Sequence, residues 1–359
     1  MPTGASGTAG RMRLPEPCGP LSEGVVRALE PDDRRPRAVP EARAFGDVDE
    51  PLRDRDFQLA LWILYELHYR GFDGVDPHAE WDPLLLVSRA GLERTMEHAL
   101  RELVASAGTA DPVEKTGDNP ADDVVLALTR MTVADGPSTV SGFLQRRATR
   151  TEFCQYLGER AIYHLRESDP QSFVLPRIDG PAKVALAELQ YDEYGGGRPE
   201  RLHATMFARA LESLDMPTDL ASYLPDVSGE TLASVNVMSL FALNRRLHGA
   251  AMGHLAAFEA TSSLPCGRIA RGARRLKLPE SVLDYYDEHV EADAVHEQLA
   301  IRSICGNLVA ADPGLADDVL FGAATCLEVD GMAGEALMRR WLDERERRPE
   351  PAKRSRAAG

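Results

Sequence analysis

Two histidines and an aspartate fall within HVEADAVH, residues 289–296, in a segment whose apolar spacing predicts a helix. At about 100° per residue, Asp293 lies ~40° from His289 and His296 lies ~20° away on the other side, so all three side chains share one face. Two imidazoles and a carboxylate form a ligand set that suits iron. The alternative is a polar helix face without a metal, which a single triplet does not exclude.

A second candidate pair lies upstream in ELQYDEYGGGRPERLH, where Glu193 and His203 are ten residues apart. A continuous helix would separate them by ~15 Å, too far for one metal site. The segment GGGRP, however, predicts a break in the helix, because glycine and proline favour turns. The break could bring both residues to one site, and a simple turn with both residues exposed is the alternative.

Glu167 is a third candidate, at the predicted C-terminus of a helix just before Asp169-Pro170. An acidic group opposes the helix dipole at this end, so the position favours a nearby cation. The cation could be a metal ion or an arginine such as Arg166.

These residues resemble the ligand pattern of the haem-oxygenase-like di-iron oxidases and oxygenases, in particular actinobacterial sequences described as iron-containing redox enzymes. The similarity extends over about residues 150–345 and includes ESDPQSFVLPRIDGPAK, DEYGGGRPERLHATMF and EHVEADAVHEQLA. The positions that agree in type and order are Glu167, Glu193, His203, His289, Asp293 and His296.

The resemblance implies an all-α, haem-oxygenase-like helical bundle with extra N-terminal helices, which binds two iron ions and no haem. It implies an enzyme that uses O₂ as co-substrate to oxidise a small molecule similar to an amino acid, an amine or a fatty acid. The reaction would be N-oxygenation, hydroxylation, or oxidative cleavage of a C–C or C–H bond. Because the chain has no flavin, nicotinamide or iron–sulfur motif, electrons are expected from a ferredoxin-like protein or a reductase.

A ferritin-like bundle is a competing interpretation. Glu200 and His203 form an ExxH motif and Asp293 and His296 a DxxH motif, which are similar to the paired motifs of ferritin-like di-iron proteins. This ligand set leaves His289 and Glu193 without a role. A non-catalytic iron-binding protein and a metal-free structural bundle remain further alternatives.

Weaker candidates lie in NRRLHGAAMGHLAAFEA, a segment rich in small residues. In the resembled fold a helix of this kind covers the cofactor space, so Arg245, His254 and Glu259 are expected to meet the substrate or to support the ligands. Ordinary packing or surface exposure is the alternative for each. Tyr285 and Tyr286, one turn before His289, could border the pocket or belong to the core.

Composition excludes several other classes of protein. The net charge of −16 over 359 residues argues against binding to nucleic acid or to an anionic membrane surface. Five scattered cysteines without a CxxC pair predict neither a disulfide framework nor a zinc site. The N-terminal residues lack the apolar run of a signal peptide, so a cytoplasmic protein is expected.

Proline, glycine and charge patterns divide the chain into four predicted parts. Residues 1–50 predict a disordered arm, and 51–145 a helical extension with a polar linker. Residues 146–346 predict the di-iron domain, and 347–359 a basic disordered tail. The N-terminal extension could cap the site, mediate a homodimer, or do neither.

Overall fold

The computed structural model describes residues 12–30, 48–109, 119–133 and 140–347, except for the side chains of Glu291, Asp293 and Ala294. Most of the predicted arm, the centre of the predicted linker and nearly all of the predicted C-terminal tail lie outside these residues. Within them the regular structure is helical and contains no β-strand. No described helix is long and apolar enough to span a bilayer.

The N-terminal half of the described chain consists of short and medium helices. They are α1 (Pro20–Leu29), α2 (Arg55–Glu66), α3 (Pro83–Ala107), α4 (Pro120–Thr132), α5 (Val140–Arg146), α6 (Arg150–His164) and α7 (Asp169–Ser172).

The C-terminal half carries most of the predicted ligands. Its helices are α8 (Gly180–Glu193), α9 (His203–Glu212), α10 (Gly229–Leu243), α11 (His248–Ala260), α12 (Ser263–Leu276), α13 (Glu280–Gln298), α14 (Asn307–Ala311) and α15 (Ala316–Arg347). A π-helical segment, Leu299–Gly306, joins α13 to α14.

Part of the predicted disordered arm, Pro20–Leu29, forms helix α1. Its buried residues include Leu21 and Val25, which pack in the same core as α2. The carboxylate of Asp56 in α2 accepts hydrogen bonds from the backbone N–H groups of Leu21 and Ser22, both at 2.8 Å. These bonds satisfy N–H groups that have no partner within the helix, so α1 is stabilised by a residue 34 to 35 positions away.

Helices α11 and α15 pack closely through glycine. A Cβ atom at Gly253 would collide with the backbone carbonyl of Val319, and one at Gly322 with that of Ala250. Small residues therefore allow the two backbones to touch, as the sequence of α11 indicates. Glu259 lies on the same helix, about 1.7 turns beyond Gly253.

Both ends of the described chain pack against the helices that carry the site. Trp341 in α15 is fully buried, stacks on Phe143 in α5 with 5.1 Å between ring centroids, and donates a hydrogen bond to Gln155 in α6. At the other end, Glu66 in α2 forms a buried ion pair of 2.6 Å with Arg166 in the turn after α6.

Candidate metal centre

The predicted ligands converge from four elements of the bundle. Glu167 lies in the turn after α6, Glu193 is the last residue of α8, and His203 is the first residue of α9. His289 and His296 lie on α13. The segment between α8 and α9 is folded back by Gly195, Gly196 and Gly197, all with positive φ. The predicted break therefore exists, and it brings Glu193 and His203 within hydrogen-bonding distance.

Glu167, His203 and His289 form the first buried group, with one potential ligand atom from each lying within 4.8 Å of the others. The Nε2 atom of His289 lies 3.5 Å from Glu167 Oε1. Its Nδ1 atom lies 2.7 Å from the backbone carbonyl of Tyr285, which accepts the Nδ1–H bond. This contact orients the imidazole and leaves the Nε2 lone pair directed to the group.

Glu193, Glu259 and His296 form the second buried group, within the same 4.8 Å limit. The Nδ1 atom of His296 lies 3.4 Å from Glu193 Oε1 and 3.5 Å from Glu259 Oε2. It makes no hydrogen bond of good geometry to either oxygen. A buried nitrogen facing two carboxylates without a bond to them fits a ligand that shares an ion with both.

Glu193 connects the two groups. While its Oε1 atom faces His296, its Oε2 atom lies 3.1 Å from His203 Nδ1 in the first group. One carboxylate thus has an oxygen directed to each group, which is the arrangement that a bridging ligand between two ions requires.

The buried charges of the two groups shift the pKa values of their members. Burial opposes ionisation of Glu193, but its interactions with His203 and His296 outweigh burial and lower its pKa to about 2. Burial alone would lower the pKa of His296, yet Glu193 and Glu259 raise it to about 11. The carboxylates therefore favour positive charge nearby, which protons supply on His203 and His296 and which metal ions would supply in their place.

Two further side chains hold Glu167 in place. The hydroxyl of Tyr285 donates a hydrogen bond of 2.8 Å to Glu167 Oε2, and His164 Nδ1 lies 2.7 Å from Glu167 Oε1. His164 Nδ1 is also 2.7 Å from the Tyr285 hydroxyl. No sequence motif points to His164. The only sequence signal for it is its spacing of three residues from Glu167, which lets the two side chains meet.

The weaker sequence candidates fall in different places. Glu259, expected in a supporting or substrate-binding role, lies within the second group. Burial and the charge of Glu193 raise the pKa of Glu259 against the opposing effect of His296. His254 is buried away from both groups beside a cavity, and Arg245 is exposed. The side chain of Asp293 lies outside the described part of the structure, although its backbone continues α13.

The ferritin-like ligand set finds less support in the geometry. Glu200 is exposed on a short 3₁₀-helix, Pro199–Arg201, and belongs to neither buried group. His289 and Glu193, which that interpretation leaves without a role, are both members of the groups.

Comparison with known proteins agrees with the resemblance inferred from the sequence. Residues 154–331 match the iron-containing redox enzyme family. Nitrosourea synthase from Streptomyces achromogenes subsp. streptozoticus is 27% identical over 204 residues. The aligned region is 56% of this chain and 43% of that relative, so the chain spans less than half of the relative's length. The resemblance is confirmed, and the helical architecture is the predicted all-α, haem-oxygenase-like fold.

Proposed function

We propose that this chain, whose residues 154–331 match the iron-containing redox enzymes, is an O₂-dependent oxidase or oxygenase with two iron ions and no haem. The first ion would be held by Glu167, His203 and His289, and the second by Glu259 and His296, with Glu193 between them. Asp293 is proposed as a further ligand from the sequence resemblance alone. When bound, the iron pair would supply the electrons that activate O₂.

The proposal rests on the position of Glu193. Its two carboxylate oxygens face two different buried groups of candidate metal ligands. A structural ion pair needs one partner for each carboxylate, whereas here one carboxylate faces an imidazole on each side. The three imidazoles and three carboxylates of the two groups give the mixed nitrogen and oxygen donors that iron prefers.

The protein's own residues provide orientation and proton control around this centre. Tyr285 and His164 restrain both oxygens of Glu167, so this carboxylate is held in one orientation. The His289 side chain is fixed by the carbonyl one turn before it. Tyr285 is 1% exposed, so its bond to Glu167 is shielded from water.

The substrate is proposed to be a nitrogen-containing small molecule. The name of the related nitrosourea synthase refers to a product that contains nitrogen. N-oxygenation is therefore the reaction we favour, with hydroxylation and oxidative bond cleavage as the other members of the proposed class. Electrons would come from a separate ferredoxin-like protein or reductase.

Anaerobic Fe(II) titration of the metal-free protein, followed by O₂ addition with optical and Mössbauer detection, tests the proposal. We expect two irons per chain, one for each group, and O₂ consumption after loading. Glu193→Ala should weaken both sites together, because it removes the shared carboxylate. Glu188→Ala is the matched control, since Glu188 is exposed on the same helix.

Absence of stoichiometric iron in the wild-type protein would refute the metal centre. Two irons bound without O₂ consumption would refute the enzymatic part and favour a non-catalytic iron-binding protein. Equal iron affinity in Glu193→Ala and Glu188→Ala would refute the bridging arrangement.

A further inference from the structure

Two segments of this acidic chain contain basic residues and no acidic ones. Residues 140–151, VSGFLQRRATRT, hold three arginines, and residues 263–279, SLPCGRIARGARRLKLP, hold four arginines and a lysine. The whole chain has 57 acidic residues against 41 lysines and arginines. The first segment forms α5 and the start of α6, and the second forms α12. Positive charge is therefore concentrated in two segments that lie far apart in the sequence.

The fold brings the two segments together. The Arg275 guanidinium in α12 donates hydrogen bonds to the backbone carbonyls of Gln145, Leu144 and Ala148, at 2.9, 3.0 and 2.7 Å. A Cβ atom at Gly272 would collide with the carbonyl of Leu144, so α12 packs directly against the end of α5. The result is one basic surface, here called the arginine face, formed by Arg146, Arg147, Arg150 and the basic residues of α12 from Arg268 to Lys277.

Much of the charge on the arginine face is not neutralised by the protein. Arg274 forms an ion pair with Asp287 of α13. Arg146, Arg147 and Arg271 are exposed, and none of them forms an ion pair with a residue in the described part of the chain. Like charges held this close repel one another, so an acidic surface that covers them is attracted to this face.

An exposed apolar residue extends the arginine face along α12. The side chain of Leu264 is 66% exposed. At about 100° per residue, Leu264, Arg268, Arg271 and Arg275 lie within ~60° of one another, in a stripe about 16 Å long. A single small anion is too short to contact such a stripe, whereas protein interfaces combine apolar side chains with arginine. The stripe therefore fits the surface of another protein.

The stripe begins beside the candidate metal centre. The hydroxyl of Ser263, next to Leu264, donates a hydrogen bond of 3.4 Å to the backbone carbonyl of Val290 in α13. A Cβ atom at Gly267 would lie 3.7 Å from the Val290 side chain, so the two helices approach closely here. Val290 directly follows His289, a member of the first buried group. Only the first turns of α12 and the backbone of α13 would separate a protein bound at Leu264 from His289.

We propose that the arginine face docks an acidic protein that carries one electron at a time. A nucleic acid or an anionic membrane extends beyond this face and would meet the rest of a chain whose net charge is −16, which repels it. A small acidic protein can be confined to the face.

In each encounter the reduced carrier would lose one electron, which reduces one iron(III) of the centre to iron(II), and no atom would be transferred. As a statement about electron delivery the proposal rests on the proposed function, but docking itself requires no metal.

Calorimetric titration of the metal-free full-length protein with two acidic carriers, a plant-type [2Fe–2S] ferredoxin and a flavodoxin, tests docking. We expect at least one of them to bind at low salt, and to bind at least about tenfold more weakly when salt rises from about 50 to about 300 mM. Heparin and vesicles of phosphatidylserine serve as other polyanions and should bind more weakly than the carrier.

Arg146→Glu and Arg271→Glu locate the docking site. Each variant reverses an exposed charge, with folding checked by circular dichroism, and should weaken carrier binding at least about fivefold. Arg94→Glu is the matched control, because Arg94 is exposed on α3 and undergoes the same change of charge. With iron-loaded protein under argon, reoxidation of the reduced carrier should slow in the first two variants and not in the control.

Four results would overturn the proposal. They are failure of both carriers to bind, equal weakening by Arg94→Glu, binding of heparin or vesicles as tight as that of the carrier, and docking without reoxidation of the carrier by iron-loaded protein. Iron loading and O₂ consumption with a chemical reductant report on the proposed function separately, because the metal centre can be present without docking and docking without the metal.

Discussion

The buried ion pair between Glu66 and Arg166 allows a quantitative test of how the N-terminal extension supports the site. Both side chains are 3% exposed, and the charged groups lie 2.6 Å apart. The Arg166 guanidinium also lies over the rings of Trp62 and Tyr69, at 5.5 and 4.6 Å from their centroids. Arg166 directly precedes Glu167, so helix α2 holds the turn that carries this ligand.

Glu66→Gln removes the negative charge and leaves the arginine buried without a counter-ion. Breaking a buried pair in this way costs about 3 to 5 kcal/mol, or at least about two orders of magnitude in the folding equilibrium constant. The cation–π contacts persist in the variant and place the expected loss near the lower limit, at about 3 kcal/mol. Urea denaturation followed by circular dichroism measures this loss.

Two further variants separate the buried charge from other effects. Glu50→Gln disrupts an exposed ion pair with Arg53 and should cost less than about 1 kcal/mol. The double variant Glu66→Gln/Arg166→Met removes both charges and should recover most of the stability lost in Glu66→Gln. The reasoning is refuted if Glu66→Gln is no less stable than Glu50→Gln, or if the double variant is less stable than Glu66→Gln.

Three other outcomes follow from the packing and the charges of the site. Gly253→Ala should destabilise the fold by about 1 to 3 kcal/mol in thermal denaturation, because the new methyl group meets the α15 backbone. Gly331→Ala is the control and should be neutral or slightly stabilising, because open space surrounds Gly331. His254 should make the unfolding free energy decrease by up to roughly 3 kcal/mol as the pH falls from 6.5 to 4. The reason is that the pKa of this histidine is near 6.5 in the unfolded chain and about 4 in the folded chain, so acid favours the unfolded chain. His254→Gln should lack this part of the acid dependence, and an unchanged pH profile would contradict the assignment. Glu259→Gln should reduce iron binding from two ions to one in the titration, and retention of both would place Glu259 outside the ligand set.

The helices and the order of the predicted ligands could be predicted from the sequence because both depend on short-range spacing. Apolar periodicity predicts α13, and geometry on one helix places His289 and His296 on one face. The glycines at 195–197 predict the turn that brings Glu193 to His203. In each case the signal and the structure it produces lie within about three helical turns.

The contributions that the sequence did not assign come from residues far apart in the chain. Glu259 is a single acidic residue in the otherwise apolar run HLAAFEA, and only its contact with His296 from another helix places it in the second group. The Arg160–Asp330 pair joins residues that are 170 positions apart. The sequence does not indicate helix α1, because the N–H groups at its N-terminus bond to Asp56, 34 to 35 positions away. Patterns along one segment contain no information about such partners.

The segment that sequence similarity defines is shorter than the segment that must fold together, because helices outside the matched residues pack against them. Sequence similarity defines residues 154–331, yet Glu66, Phe143 and Trp341, which lie beyond those limits, contact residues within the matched segment or one another across it. A fragment cut at these limits would leave Arg166 without its counter-ion and divide α15 inside the helix. Transfer of the candidate metal centre to another protein by recombination would therefore have to include the flanking helices, so the flanks and the centre are expected to evolve together.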